Sequence, residues 1–144
     1  MSSTSKLKCF LQPNSLPKSA SIGLLLVRLL MGIALIMHGW GKIQTPFGWM
    51  GPDAPVPGIL QFLAALSEFG GGIALVLGLL TSVAMLGLFF TMAVAVHMHA
   101  VIKGDPFVGG YELAALYLVL AVMFIMVGPG KYAIDNKIFG NKNC

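Results

Sequence analysis

Four long apolar stretches alternate with short polar segments along the chain. They cover residues 21–40, 59–80, 82–102 and 111–128. Each is long enough, at about 1.5 Å of rise per helical residue, to cross a hydrocarbon layer about 30 Å thick. The turn at Thr81-Ser82 is so short that the second and third stretches form an antiparallel hairpin. We therefore predict an all-α fold, an integral membrane four-helix bundle.

The segments between these stretches suggest the domain organisation. Residues 1–20 form a polar tail, residues 21–130 the membrane domain, and residues 131–144 a second tail. A loop at residues 39–58 holds five glycines, four prolines and both tryptophans, which excludes a continuous helix there. Six lysines lie on the side of the two tails and two on the other side, so we expect both termini in the cytoplasm and this loop outside. Arg28 interrupts the first apolar stretch and no A-x-A site follows, so we take it as a span and not as a secretory signal.

Composition restricts the class of protein further. Apolar residues make up 57% of the chain without counting glycine, and charged residues 10%, against about 25% charged in soluble domains. This excludes a soluble globular enzyme, a disordered tail and a disulfide scaffold. The net charge of +4 comes from scattered lysines without a basic run, so we expect no nucleic-acid partner. Cys9 and Cys144 lie in the tails without a C-x-x-C motif, which argues against a thiol–disulfide relay and for two free thiols.

Two charged side chains fall deep within the predicted spans. A charge near the bilayer centre costs at least about 2.5–3.5 kcal/mol, so each needs a partner or a use. Counting helical rise from the span ends places Arg28 and Glu68 at depths about 5 Å apart, within reach of an arginine side chain. We therefore predict an Arg28–Glu68 ion pair. It is either a structural clasp between helices, or Glu68 carries protons or anchors a ligand.

Three histidines and a second carboxylate are expected near the outer face. The same count places His38, His97, His99 and Glu112 within about 8 Å of the outer boundary. These residue types are candidates for a proton-handling or quinone-handling cluster, for a metal or haem site, or for interfacial histidines bonded to backbone and water. His97 and His99 are about 200° apart around a helix, so only one can face the bundle interior unless the helix is broken there.

Lys42 and two tryptophans flank this layer. Lys42 follows His38 by four residues and shares its helical face. It snorkels to water, supplies a positive charge to His38, or holds an anionic substrate at the mouth of the bundle. Trp40 and Trp49 suit the headgroup region and are further candidates for substrate contact.

A series of short segments carries a family resemblance. They are GIALIMHGWGK (residues 32–42), EFGGGIALVLGLLT (68–81), HMH (97–99), the YE at residues 111–112 and GPGKYAID (128–135). Together they resemble the DoxX family of small four-span bacterial membrane proteins, over roughly residues 22–139. The resemblance implies a four-helix membrane bundle with cytoplasmic termini. The residues that it marks are Arg28, His38, Gly39, Lys42, Glu68, Gly72, Glu112, Gly128, Gly130 and Asp135.

Several functions follow as alternatives. The DoxX family looks related to the DoxD subunit of thiosulfate:quinone oxidoreductase and to MauE, and some members associate with proteins of thiol and oxidative-stress defence. This implies a bacterial inner-membrane subunit of a quinone-linked or thiol-linked redox system, with quinone as the candidate cofactor. The alternatives are a scaffold that docks partner proteins and a small transporter lined by Arg28 and Glu68. No P-loop, dinucleotide fingerprint or nucleophile elbow occurs, so any enzyme role is that of a non-autonomous subunit. We expect the lipid bilayer, other membrane or redox proteins and a second copy of the chain as partners.

Overall fold

The computed structural model describes residues 16–139. Over that range the chain is all-helical without a strand, and four helical segments are long and apolar enough to span a membrane. The helices are α1 (Lys18–Gln44), α2 (Gly58–Leu77), α3 (Thr81–His97), α4 (Glu112–Val127) and a short α5 (Ile134–Phe139). The predicted four-helix membrane bundle is confirmed. Residues 1–15 and 140–144 of the predicted tails, with Cys9 and Cys144, lie outside the described residues.

Proline and glycine lie at the helix ends. Pro17 directly precedes α1 and Pro57 directly precedes α2. Proline suits a helix start because its missing N–H would have no helical partner there. Gly78 ends α2 in the left-handed conformation, with φ of 66°. A wide π-helical turn at Met98–Lys103 follows α3. The segment Phe107–Tyr111 then leads into α4 through a kink, where the backbone of Val108 and Gly109 is not helical.

Helices α1 and α2 run antiparallel with their backbones in close contact. A Cβ atom added to Gly39 would lie 2.6 Å from the backbone nitrogen of Phe69, and one added to Gly32 would lie 2.6 Å from Val76 Cγ2. Gly72 faces the Gly32 carbonyl in the same way, with 2.8 Å to an added Cβ. Small residues allow such close approach between membrane helices. The three glycines therefore fix the register of α1 against α2.

The interior of the bundle is apolar and draws on all four long helices. Its buried side chains are Met31, Leu35, Leu75, Met85, Leu88, Met92, Tyr117, Ala121 and Phe124. Large apolar side chains on the outer faces stay exposed, such as Leu30 at 76% and Val119 at 65%. An apolar outer surface of this kind is suited to contact with lipid chains and not with water.

The two ends of the bundle differ in their connections. One end, here called the long-loop end, carries residues 45–57 and 98–111. The other, here called the short-turn end, carries residues 78–80 and 128–139. At the short-turn end the Asp135 carboxylate accepts hydrogen bonds from the backbone amides of Leu80 (2.6 Å) and Thr81 (2.8 Å). Helix α3 is thus capped by a carboxylate far along the chain, which satisfies amides that have no helical partner.

Candidate functional site

Glu68 forms an ion pair with Lys42. Lys42 Nζ lies 2.6 Å from Glu68 Oε1 and 2.7 Å from Oε2. The Glu68 side chain is only 5% exposed and that of Lys42 is 26% exposed. Lys42 Nζ also lies 4.5 Å from the centroid of the Trp49 ring, a cation–π contact. A nearly buried carboxylate is therefore compensated by a cation that keeps partial access to solvent.

The predicted Arg28–Glu68 ion pair is wrong. Arg28 is 1% exposed, and its guanidinium donates hydrogen bonds of 2.9–3.1 Å to the carbonyls of Leu75, Val76, Pro129 and Tyr132. The first two carbonyls belong to the last turn of α2, where carbonyls lack the i+4 amide of the helix interior. A cation also suits the negative end of the helix dipole. Arg28 therefore ties the end of α2 to the segment after α4.

The register of the α1–α2 contact explains the error. Because Gly39 lies against Phe69, Glu68 is level with the C-terminal end of α1 and not with its middle. Arg28 lies more than three helical turns lower on α1, about 18 Å along the axis. The predicted depths depended on assumed span ends, whereas the glycine contacts set the actual alignment.

Part of the long loop folds back over the ion pair. Gln61, which is 3% exposed, holds this part through three hydrogen bonds. Trp49 Nε1 donates to the Gln61 carbonyl (3.0 Å), and the Met50 amide donates to Gln61 Oε1 (3.1 Å). Gln61 Nε2 in turn donates to the Val56 carbonyl (2.9 Å). The loop therefore forms a fixed cover beside Lys42 and Glu68.

A cavity of about 870 Å³ opens between α2 and α3. We call it the α2–α3 groove. Helix α3 lines it from Val83 to Ala95, a rise of about 18 Å. Most of its wall is apolar or made of small residues, and its charged and polar groups towards the long-loop end are Lys42, Trp49, Gln61, Glu68, His99 and Lys103. The arrangement is an apolar slot with a polar end.

Two hydroxyl groups interrupt the apolar wall of the groove. Ser67 Oγ on α2 and Thr91 Oγ1 on α3 lie 2.6 Å apart and both residues line the groove. Ser67 is next to Glu68 in the sequence, so this hydroxyl pair lies within one helical turn of the ion pair. It joins the two helices in the wall of the groove.

The three histidines and Glu112 are not joined into one cluster. His99 Nδ1 lies 2.6 Å from Asp105 Oδ2, and His99 lines the groove. His38 packs edge-on against a tyrosine ring of α4, with 6.5 Å between centroids, while His97 and Glu112 are exposed. Within residues 16–139 no hydrogen bond or ion pair connects these four side chains, and no group of three or more His, Cys, Asp and Glu could hold a metal ion.

The candidate contact residues are divided between groove and surface. Lys42 and Trp49 line the groove, but Trp40 is 58% exposed and packs against the Phe69 ring at 5.7 Å. Sequence reasoning missed Gln61, Ser67 and Thr91. For Gln61 a signal existed, since it precedes Glu68 by seven residues and so shares its helical face. For the hydroxyl pair there was none, because serine and threonine are ordinary in membrane helices.

A helical bundle with four membrane-spanning segments and a ligand-sized apolar groove defines a small polytopic membrane protein. The DoxX family matches residues 23–101, and the chain belongs to this family. An uncharacterized protein of Haemophilus influenzae is 34% identical over 131 residues, 88% of this chain and 98% of that protein. Inner membrane protein YqjF of Escherichia coli is 34% identical over 128 residues, 82% of this chain and 93% of YqjF.

A third relative is the protein of Bacillus subtilis named putative oxidoreductase CatD. It is 30% identical over 133 residues, 88% of this chain and 95% of CatD. No solved structure matches the chain significantly.

Proposed function

We propose that this protein is a bacterial inner-membrane subunit of a redox system and that it binds a quinone in the α2–α3 groove. The observation that carries the proposal is an apolar slot of about 870 Å³ with a nearly buried, paired carboxylate at its polar end. Sites for small amphiphilic ligands have this composition, mostly apolar walls with a few placed polar groups. The names of YqjF, an inner membrane protein, and of CatD support the location and the redox role.

Each part of the groove has a place in this proposal. Apolar side chains of α3 such as Phe90 and Val94 would contact the tail of the quinone, and the ring would lie towards Glu68. A bound quinone would take up two electrons and two protons on reduction to the quinol. Glu68 is the carboxyl group positioned to hold a proton at this end, and Lys42 balances its charge. Trp49 and Gln61 hold the loop cover that limits access of water.

Electrons come from a partner protein in this proposal. The sequence holds no dinucleotide fingerprint, so the chain acts as one subunit beside a redox protein. Transport is less well supported, because Arg28 is bonded to four carbonyls and does not line the groove.

Both termini lie in the cytoplasm in our proposal. Lys42 is paired with Glu68, which leaves Lys103 as the one free lysine of the long-loop end among the described residues. The lysines on the side of the tails thus dominate the positive-inside bias. A fluorescent-protein fusion at the C-terminus should fluoresce and an alkaline phosphatase fusion there should be inactive. The opposite pattern would reverse the orientation.

Tryptophan fluorescence provides a direct test of quinone binding. Trp49 lines the groove and Trp40 does not, so Trp40→Phe leaves a single reporter at the site. Decylubiquinone should quench this fluorescence saturably in purified protein, and quinone should be extracted with the protein from membranes.

Filling the groove should abolish this quenching. A Cβ atom added to Gly87 lies 3.5 Å from Ser67 Cβ inside the groove, so Gly87→Leu places a side chain in the slot. The matched control is Gly23→Leu, because Gly23 has nothing within 4 Å and does not line the groove. Saturable quenching that persists in Gly87→Leu would refute the site. Absence of any quinone binding would refute the redox role and leave the scaffold for partner proteins as the alternative function.

A further inference from the structure

Donor hydrogens are scarce at the hydroxyl pair of the α2–α3 groove. Ser67 Oγ and Thr91 Oγ1 lie 2.6 Å apart. Ser67 Oγ also lies 3.0 Å from the Ala64 carbonyl, and Thr91 Oγ1 lies 3.2 Å from the Gly87 carbonyl. These are three contacts, but two hydroxyls carry only two hydrogens.

The hydrogen count leaves an open acceptor in either arrangement. If Thr91 donates to Ser67, then Ser67 donates to Ala64 and the Thr91 oxygen accepts nothing. If Ser67 donates to Thr91, then Thr91 donates to Gly87 and the Ser67 oxygen accepts nothing. One hydroxyl oxygen of the pair therefore keeps both lone pairs, while neither hydroxyl keeps a hydrogen for a further acceptor.

The Lys42–Glu68 ion pair also has open acceptor positions. The Lys42 ammonium donates hydrogen bonds to both Glu68 oxygens, and its Nζ lies 4.5 Å from the centroid of the Trp49 ring. A carboxylate has about four acceptor positions, so Glu68 keeps two after binding Lys42. Glu68 thus presents lone pairs and no hydrogen to a ligand in the groove.

The remaining polar groups of the groove change this balance little. His99 Nδ1 faces the Asp105 carboxylate, which only accepts, and so donates its hydrogen there and not to a ligand. Gln61 donates one amide hydrogen to Val56 and keeps the other. Lys103 is an exposed donor at the mouth. At Glu68 and the Ser67–Thr91 pair the wall therefore offers acceptors, and the spare amide hydrogen of Gln61 is its buried donor.

We infer that the groove selects the hydroquinone form of its ligand over the quinone. One ligand hydroxyl would donate to Glu68 and the other to the Ser67–Thr91 pair. A quinone offers only acceptor oxygens, which would face the lone pairs of both groups. This inference rests on the proposed function and adds to it the redox state of the ligand that the site prefers.

Three related ligands test the inference. Decylubiquinol, decylubiquinone and the dimethyl ether of the quinol share ring and tail but differ in donor hydrogens. Titrated anaerobically against the Trp40→Phe protein, the quinol should bind at least about tenfold more tightly than its dimethyl ether. It should also bind more tightly than the quinone.

A double substitution tests the role of the hydroxyl pair. Thr91→Val alone should change little, because Ser67 then donates to Ala64 and its oxygen remains an acceptor. Ser67→Ala combined with Thr91→Val removes both oxygens, and the preference for the quinol over its dimethyl ether should fall by about 2- to 10-fold. The matched control is Thr81→Val with Ser82→Ala, because these buried residues of α3 do not line the groove.

The outcomes separate the inference from the function on which it rests. If the quinone binds as tightly as the quinol, the inference is overturned and the quinone site stands. An unchanged preference in the Ser67/Thr91 double variant overturns it as well. If none of the three ligands quenches Trp49 saturably, the proposed function fails and the inference fails with it.

Discussion

The Lys42–Glu68 ion pair yields the sharpest prediction about stability. Lys42→Met removes the charge that compensates Glu68, whose side chain is 5% exposed. Breaking a buried pair on one side costs about 3–5 kcal/mol, because a charge is left without compensation. Lys42 is itself 26% exposed, so we expect the lower value, about 3 kcal/mol.

The double variant should lose far less unfolding free energy than the sum of the losses in the two single variants. Glu68→Gln leaves a lysine that can extend to water, so it should cost about 1–2 kcal/mol. Lys42→Met with Glu68→Gln leaves no buried charge and should cost about as little. The coupling energy of the double-mutant cycle then has a magnitude of about 3 kcal/mol.

The measurement is reversible unfolding by SDS in mixed micelles, followed by circular dichroism. Lys103→Met is the control, because it removes an exposed lysine at the same end and should change the free energy of unfolding by less than about 0.5 kcal/mol. A second cycle between Arg28→Lys and Glu68→Gln should be additive, since about 18 Å separates these residues along the helix axis. Additivity in the first cycle together with coupling in the second would refute the register derived from the glycine contacts.

Three further substitutions test the packing of the bundle in the same unfolding assay. Arg28→Lys should cost at least about 2 kcal/mol, because a lysine ammonium cannot reproduce the four hydrogen bonds of the planar guanidinium to backbone carbonyls. A cost near zero would contradict the role of Arg28 in tying α2 to the segment after α4. Asp135→Ala frees two amides at the start of α3 and should cost about 1–2 kcal/mol, with the asparagine variant between it and wild type. Gly72→Ala sets a Cβ 2.8 Å from the Gly32 carbonyl and should cost about 1–3 kcal/mol, whereas Gly23→Ala meets nothing within 4 Å and should be neutral or stabilising. Equal effects of Gly72→Ala and Gly23→Ala on the free energy of unfolding would contradict the close α1–α2 contact.

The histidines illustrate the limit of counting residues along a helix. Helical rise predicted their depth, but depth does not say which way a side chain points. The wide turn at Met98–Lys103 changes the helical geometry after His97. His97, the last residue of α3, is exposed, whereas His99 within the wide turn reaches the groove and Asp105. A hydropathy pattern does not contain this local change of geometry.

The sequence by itself determined the all-helical class, the four spans and the membrane environment. These features depend on the length of each apolar run and on proline and glycine at its ends, which are local properties of the chain. It also marked Arg28 and Glu68 as costly charges that need partners.

Only the tertiary structure decided which charges meet. Close approach at Gly32, Gly39 and Gly72 sets the register of α1 against α2, so Glu68 pairs with Lys42 and Arg28 binds carbonyls. The groove likewise needs α2 and α3 to lie side by side before Ser67 can meet Thr91. Contacts between distant residues depend on helix rotation and alignment, and neither is fixed by the number of residues in a span.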